Sequence, residues 1–242
     1  IAVDLVRNSE DNVISEKIAL SPSVVGMKIF EEPVFSFGAA DDEEFALLKK
    51  PEVIGNHVLT PLEWLPSAKT VISFFLPFTG TVKRSNALNI HWPSEEWLHA
   101  RVEGQAFLFK LCEHLNSALI EAGYESIVPS LDKRFWCNVD TAVHEKDPVF
   151  TGNWSERHAA FICGLGTFGL SKGLITKKGV AGRFGSIITS LNLSPDQREY
   201  RDIYQYCSQC GLCAEQCPAR AISLEKGKIH LPCAQFINKT RA

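Results

Sequence analysis

The sequence has no long apolar run. None approaches the ~18 residues a membrane span needs. The longest, Val71 to Phe78, is interrupted by Ser73 and Pro77 and reads as a buried strand. No charge of one sign dominates: 25 Lys and Arg stand against 28 Asp and Glu, a net charge of −3. Clustered Lys and Arg, the footprint of a nucleic-acid binder, are missing, so nucleic acid is not an expected partner. There is no repeat, no low-complexity tract and no secretory leader pattern. Membrane partners are therefore not expected either, and the expected compartment is cytoplasmic.

What the chain does have is cysteine, eight in 242 residues. Without secretory features, that number points to a reducing compartment and to metal ligation. Four thiols fall at Cys207, Cys210, Cys213 and Cys217, with Pro218 next. This is the C-x2-C-x2-C-x3-C-P spacing of the bacterial iron–sulfur run. The short gaps let one tight loop point three thiolates at one [4Fe–4S] cluster, while the fourth commonly ligates another. Pro218 suits a helix start, where no N–H donor is needed. A zinc knot pairs two separate C-x2-C knuckles and fits less well. Cys233, beyond a predicted hairpin at Ile222 to Leu231, is a further candidate ligand; the alternative is an unattached thiol near the chain end. Cys112, Cys137 and Cys163 stand in apolar surroundings and are expected to be buried structural thiols.

Hydrophobicity at 45% supports one sizeable core plus a small appended module. The boundary is placed at 195/196: residues 1–195 form an α/β cofactor-binding domain and 196–242 the iron–sulfur module. Residues 1–30 suggest a helix or a strand pair, and Glu31 to Glu44 a surface loop. Lys69 to Pro77 is β-branched and aromatic between prolines, as a central strand requires. Gly80 to Ile90 reads as a connecting loop. Ser94 caps a helix of ~27 residues and ~40 Å that stops at Gly123. Its apolar stripe is placed on Leu98, Val102, Ala106 (or Gln105), Phe109, Cys112, Leu115 and Leu119. His99 and His114 on it are taken as structural. Short strands are expected at Tyr124 to Pro129 and Arg134 to Val139. Asp140, directly after the second, is either a site carboxylate at a strand end or an ordinary turn-former.

Ser155 opens another helix, which ends at Gly164. Gly164, Gly166 and Gly169 then match G-x-G-x-x-G. A dinucleotide fingerprint should follow a strand, open a helix and meet an acidic residue ~20 positions on. None of these holds, so NAD is set aside. A glycine-rich turn bringing backbone N–H groups near a large ligand is preferred. Leu174 to Gly179 reads as a strand running into a turn, with Arg183 to Leu193 as its neighbour. Lys172, Lys177, Lys178 and Arg183 form a local basic cluster, either a solvated face or a cradle for carboxamide, phosphate or carboxylate groups.

Taken in order, Val139-Asp140-Thr141-Ala142, Arg157-His158-Ala159-Ala160, the glycine segment with Leu174-Ile175-Thr176, and the cysteine run resemble the core of epoxyqueuosine reductases. Cobalamin-dependent reductive dehalogenases are similar. The resemblance covers most of the chain from about residue 60. It implies an α/β (α+β) fold: a nitroreductase-like sandwich around a mixed sheet, with a small C-terminal ferredoxin-like module. It also implies base-off cobalamin, reduced one electron at a time from [4Fe–4S]. No D-x-H-x-x-G run is present, so His-ligated cobalamin is not implied. The family's proton donor matches Asp140, and Gly166, Gly169, Thr176 and Arg183 would lie along the cofactor. Asp140 would need its pKa raised by burial.

The chain departs from the pattern in lacking a second full cysteine run and the domain with which epoxyqueuosine reductase grips tRNA. Val143 to Glu156 also diverges, so the pocket should differ. One cluster, or two, is left open. The expectation is an iron–sulfur reductase acting on a small molecule and fed by a ferredoxin or flavodoxin. Two alternatives stand beside it: a ferredoxin-type electron carrier without catalysis, and a flavin-dependent reductase on the same scaffold.

Overall fold

A computed structural model describes residues 1–138 and 151–240. In chain order the elements are α1 (Ala2–Asn8), β1 (Val34–Ala39), α2 (Glu43–Leu47), α3 (Pro61–Trp64), β2 (Thr70–Pro77), α4 (Gly80–Ala87) and α5 (Glu95–Glu121). Next come β3 (Ser126–Ile127), β4 (Cys137–Asn138), β5 (Thr151–Gly152), α6 (Glu156–Cys163), β6 (Gly166–Phe168), β7 (Leu174–Thr176) and β8 (Gly182–Thr189). The C-terminal part holds α7 (Leu212–Glu215), β9 (Ile222–Ser223), β10 (Gly227–Lys228) and α8 (His230–Lys239).

The central sheet runs β1-β2-β8-β3, and every pairing in it is antiparallel. The α/β architecture is the one expected; the mixed sheet is replaced by an antiparallel one. Strand β2 lies inside it and is buried along its whole length, as its β-branched and aromatic content required. The pleat sends alternate residues to opposite faces. Ile72, Phe74, Leu76 and Ile187 pack under α5 with Phe107, Leu108 and Leu111. Val71 and Ile188 pack under α6 with Ala159, Ile162 and Cys163. The result is three layers: α5, sheet, α6.

Helix α5 starts at the expected Ser94, whose hydroxyl accepts the Trp97 N–H at 3.2 Å. It ends before Gly123, which takes φ +89°. Its buried stripe meets the expected one at Cys112, Leu115 and Leu119 but differs before them. It runs through Ala100, Gly104, Phe107, Leu108, Leu111 and Cys112, whereas Val102 is 63% exposed. Gly104 explains the shift: a methyl there would meet the Phe30 ring at 3.1 Å, so the core presses on bare backbone. His99 is buried and satisfied, accepting from the Leu20 N–H at 3.1 Å and meeting Glu103 at 3.0 Å. His114 is exposed.

Five local readings are corrected. Residues 34–39 are edge strand β1, not loop; Gly38 in it admits the Cys163 thiol, which a methyl would meet at 2.8 Å. Residues 80–87 are helix α4, anchored by buried Val82. The glycine segment contains strand β6, which pairs with β7. Strand β8 is consequently the neighbour of β2 and β3, not of β7. Cys112 and Cys163 are buried as expected, but Cys137 is exposed, because β4 has only the short β5 beside it.

Candidate functional site

Helix α6 begins after Ser155, but the Ser155 hydroxyl does not cap it: it pairs with His158 Nδ1 at 2.7 Å. The helix stops at Gly164, which takes φ +101°, and the Leu165 N–H reaches back to the Ala160 carbonyl at 2.9 Å. The chain then forms the β6–β7 hairpin. At the mouth of α6 and this hairpin lies a cleft of about 620 Å³. Its walls include Trp154, Glu156 and His158 from the α6 side, Phe168 and Lys172 from the hairpin, and Tyr204 from the segment leading to the cysteines. Asn138 and Thr151 also line it. The volume is that of a small-molecule site, with apolar faces and a few polar groups.

The electrostatics of the cleft are unusual. Burial pushes Glu156 up to about 8, against an opposing pull from Ser186 and Trp154. Both groups lie beside the carboxyl, but the Trp154 indole N–H donates to the Ser186 hydroxyl at 3.0 Å, and both Glu156 oxygens are buried with no partner at hydrogen-bond distance. Burial and the neighbouring Arg157 guanidinium bring His158 down to about 4, so it is a neutral imidazole at pH 7. Lys172 is lowered by burial and by the like charges of Lys228 and Arg157. Arg157 donates to the Lys172 carbonyl at 2.5 Å. Lys172 itself holds a left-handed backbone, φ +58°, which a non-glycine residue adopts at a cost.

The expected cofactor residues occupy other places. Gly166 is required by strand pairing, since a Cβ there would collide with the Ile175 carbonyl. Gly169 donates its N–H to the Gly173 carbonyl at 2.8 Å. The Thr176 hydroxyl donates to the Gly179 carbonyl at 2.8 Å, closing the turn. These three build the hairpin that presents Phe168 and Lys172. Arg183 shares its sheet face with Gly185 and Ile187, under α5, and donates to the Arg101 carbonyl at 2.8 Å. It faces away from the cleft on the α6 side of the sheet. Asp140 lies outside the described residues.

The cysteine run follows directly. Strand β6 holds the approach to it: the Phe168 N–H donates to the Ile203 carbonyl at 2.7 Å, and the Tyr206 N–H to the Thr167 hydroxyl at 2.8 Å. The Tyr200 hydroxyl donates to the Phe161 carbonyl. Gln209 and Gly211 both take positive φ, which makes the tight loop. All five candidate thiols are free; Cys210 is exposed and Cys207, Cys213, Cys217 and Cys233 are half-buried. The Leu212 N–H and Ser208 hydroxyl lower Cys210. Burial, and then the charges of Cys207 and Cys210, raise Cys213. Three thiolates held on one short loop would repel one another without a cationic metal core between them. Cys217 accepts the Ala221 N–H at 3.3 Å, and Cys233 sits on α8. Among the described residues no three Cys, His, Asp or Glu gather round a single metal ion. A cubane does not ask for that, because each thiolate meets its own iron. The donor set therefore fits an iron–sulfur cluster.

Fold and thiol loop together define an α/β protein carrying a 4Fe–4S binding domain, whose family model matches residues 200–223. Particular relatives agree with the resemblance seen in the sequence. The tetrachloroethene reductive dehalogenase of Desulfitobacterium hafniense is 42% identical over 64 residues, 26% of this chain and 12% of that protein. The catabolic reductive dehalogenase NpRdhA superposes with a TM-score of 0.50 at 15% identity, over 84% of this chain and 27% of that one. Epoxyqueuosine reductase from Streptococcus thermophilus gives 0.45 at 19% identity, over 82% and 51%. The chain thus spans a fraction of the length of each, and the structural likenesses concern the fold. No helix among the described residues is long and apolar enough to cross a membrane.

Proposed function

We propose that this chain is the electron-transferring core of an iron–sulfur oxidoreductase that reduces a small molecule at a base-off cobalamin held in the cleft. The observation that carries this reading is the shared wall. Tyr204, three residues before Cys207, lines the same cleft as Trp154 and His158. A cluster on Cys207, Cys210 and Cys213 is then adjacent to whatever occupies the cleft. Cys217 and Cys233 serve as ligands of the same cluster or of a second one. A ferredoxin or flavodoxin supplies the electrons, and the 195/196 division separates the cofactor-binding domain from the cluster module.

The residues present suit a large planar cofactor. Trp154, Phe168 and Tyr204 offer apolar faces, and Arg157 and Lys172 offer donors for carboxamide or phosphate groups. When bound, cobalamin supplies a strongly reducing metal centre that side chains cannot provide. The protein's part is to bind, orient and keep water out. Gly166, Gly169 and Thr176 contribute by shaping the hairpin, and Arg183 through the opposite face of the sheet. Asp140 is assigned as proton donor by resemblance, a role worth roughly 10²–10⁴-fold in rate.

Anaerobic reconstitution with iron, sulfide and cobalamin tests the proposal. Four or more irons per chain together with retained corrinoid are expected. Intact clusters with no corrinoid retained would overturn the cobalamin assignment. A flavin spectrum in the protein as isolated would move the reading to a flavin reductase.

A further inference from the structure

Glu156 is the one carboxyl in the cleft wall whose two oxygens are both buried and both without a hydrogen-bond partner. An ionised carboxylate in that state costs several kcal/mol, and a protein avoids the cost by keeping the group neutral. A cation is at hand, yet Arg157 is turned to the Lys172 carbonyl and forms no ion pair with its neighbour. The Trp154 indole N–H beside the carboxyl is spent on the Ser186 hydroxyl, and neither group comes within hydrogen-bond distance of the Glu156 oxygens.

We propose that Glu156 is a proton store built into the cleft, protonated at neutral pH and released into the cleft when a substrate there is reduced. This rests on the reductase reading above. A two-electron reduction that leaves no net charge consumes two protons. The electrons come from the 4Fe–4S centre. One proton comes from the acid assigned to Asp140. The second comes from Glu156: its O–H bond breaks, the proton passes to the basic atom created on the substrate, and the carboxylate left behind is reprotonated from solvent. Burial raises the group to about 8, which keeps it loaded through the neutral range.

The groups facing it do not duplicate this role. On α6, Arg157 stays cationic and His158, near 4, stays neutral across pH 6 to 9. The Cys163 thiol at the end of α6 and the Cys112 thiol on α5 are both raised by burial and further by Glu156 itself. Lys172 carries the hairpin's charge, and Glu52, Tyr204 and His230 stand on the remaining walls.

Infrared difference spectra of the full chain between pH 6 and pH 9 test the protonation without any cofactor. A protonated-carboxyl C=O band lost on raising the pH, and absent from Glu156→Gln, is expected. The same band in both proteins refutes the store. Glu156→Asp, which keeps a carboxyl, should restore a band if the site is intact. With reconstituted holoenzyme, Glu156→Gln should retain corrinoid, lower turnover at least tenfold and lose the wild-type fall in rate above pH 8. Unchanged turnover and pH profile with corrinoid bound refutes the proposal, whereas failure of the wild type to bind corrinoid strikes only the reductase reading.

Discussion

At the scale of single residues, backbone geometry separates glycines that look alike in sequence. A methyl on Gly166 would land on the Ile175 carbonyl, a backbone atom with nowhere to go. Gly166→Ala should cost about 1–3 kcal/mol, as overpacking does. Gly169→Ala meets only the flexible end of Ile175 at 3.1 Å and should cost less than half as much. Urea unfolding of both variants decides it, and equal midpoints would show that the hairpin contact is soft. Glu156 makes a second prediction, for pH. Its ordinary value is 4.5 and its folded value about 8. Between the two the native state holds a proton the unfolded chain has lost, so stability falls as pH rises through that window and levels off above 8. His158, lowered from 6.5 to about 4, acts with the opposite sign below 6.5. The clean interval is therefore pH 6.5 to 8, where wild type should lose stability and Glu156→Gln should stay flat. Parallel curves from chemical denaturation would remove the neutral-acid assignment.

At the scale of elements, α5 shows what periodicity can and cannot reveal. Its start at Ser94, its stop at Gly123 and its length were all legible, because capping chemistry is local. Its buried face was legible only from Cys112 onward, because Ala100 and Gly104 bury through smallness, in answer to Phe30 from a distant loop. Leu111→Ala should cost about 2–5 kcal/mol as a cavity, while Val102→Ala should stay within about 0.5 kcal/mol as a surface change. Thermal melts of the pair check the register, and similar losses would restore the expected stripe. The same limit applies to the site. The cysteine run was plain, since a cluster needs its ligands at fixed short spacing. Gly166 and Thr176 shape the hairpin instead, Gly166 by leaving room for the Ile175 carbonyl and Thr176 by closing the turn onto Gly179. Glu156 looked like any acidic first-turn residue favoured by the helix dipole. Only the folded structure shows it in the cleft wall with both oxygens buried and unpartnered.

At the scale of the whole molecule, the decisive feature is that one short strand serves two sites. Strand β6 carries Phe168 into the cleft, and through Thr167 and Phe168 it also holds Tyr206 and Ile203 in place ahead of the cysteines. The cluster loop and the cleft are therefore not independently hinged pieces. Loosening β6's outer edge should be felt at the thiols. Thr167→Val nearly preserves shape but removes the acceptor for the Tyr206 N–H, and a buried donor left unsatisfied costs about 1–3 kcal/mol. Thr167 is fully buried, so solvent offers no replacement. Amide hydrogen exchange should show protection lost at Tyr206 and also across the approach to Cys207, including the Cys207 N–H now bonded to the Tyr204 carbonyl at 2.8 Å. Exchange that quickens at Tyr206 alone, with Cys207 still protected, would mean that the thiol loop holds its shape by itself and that the shared strand does not couple the cluster to the cleft.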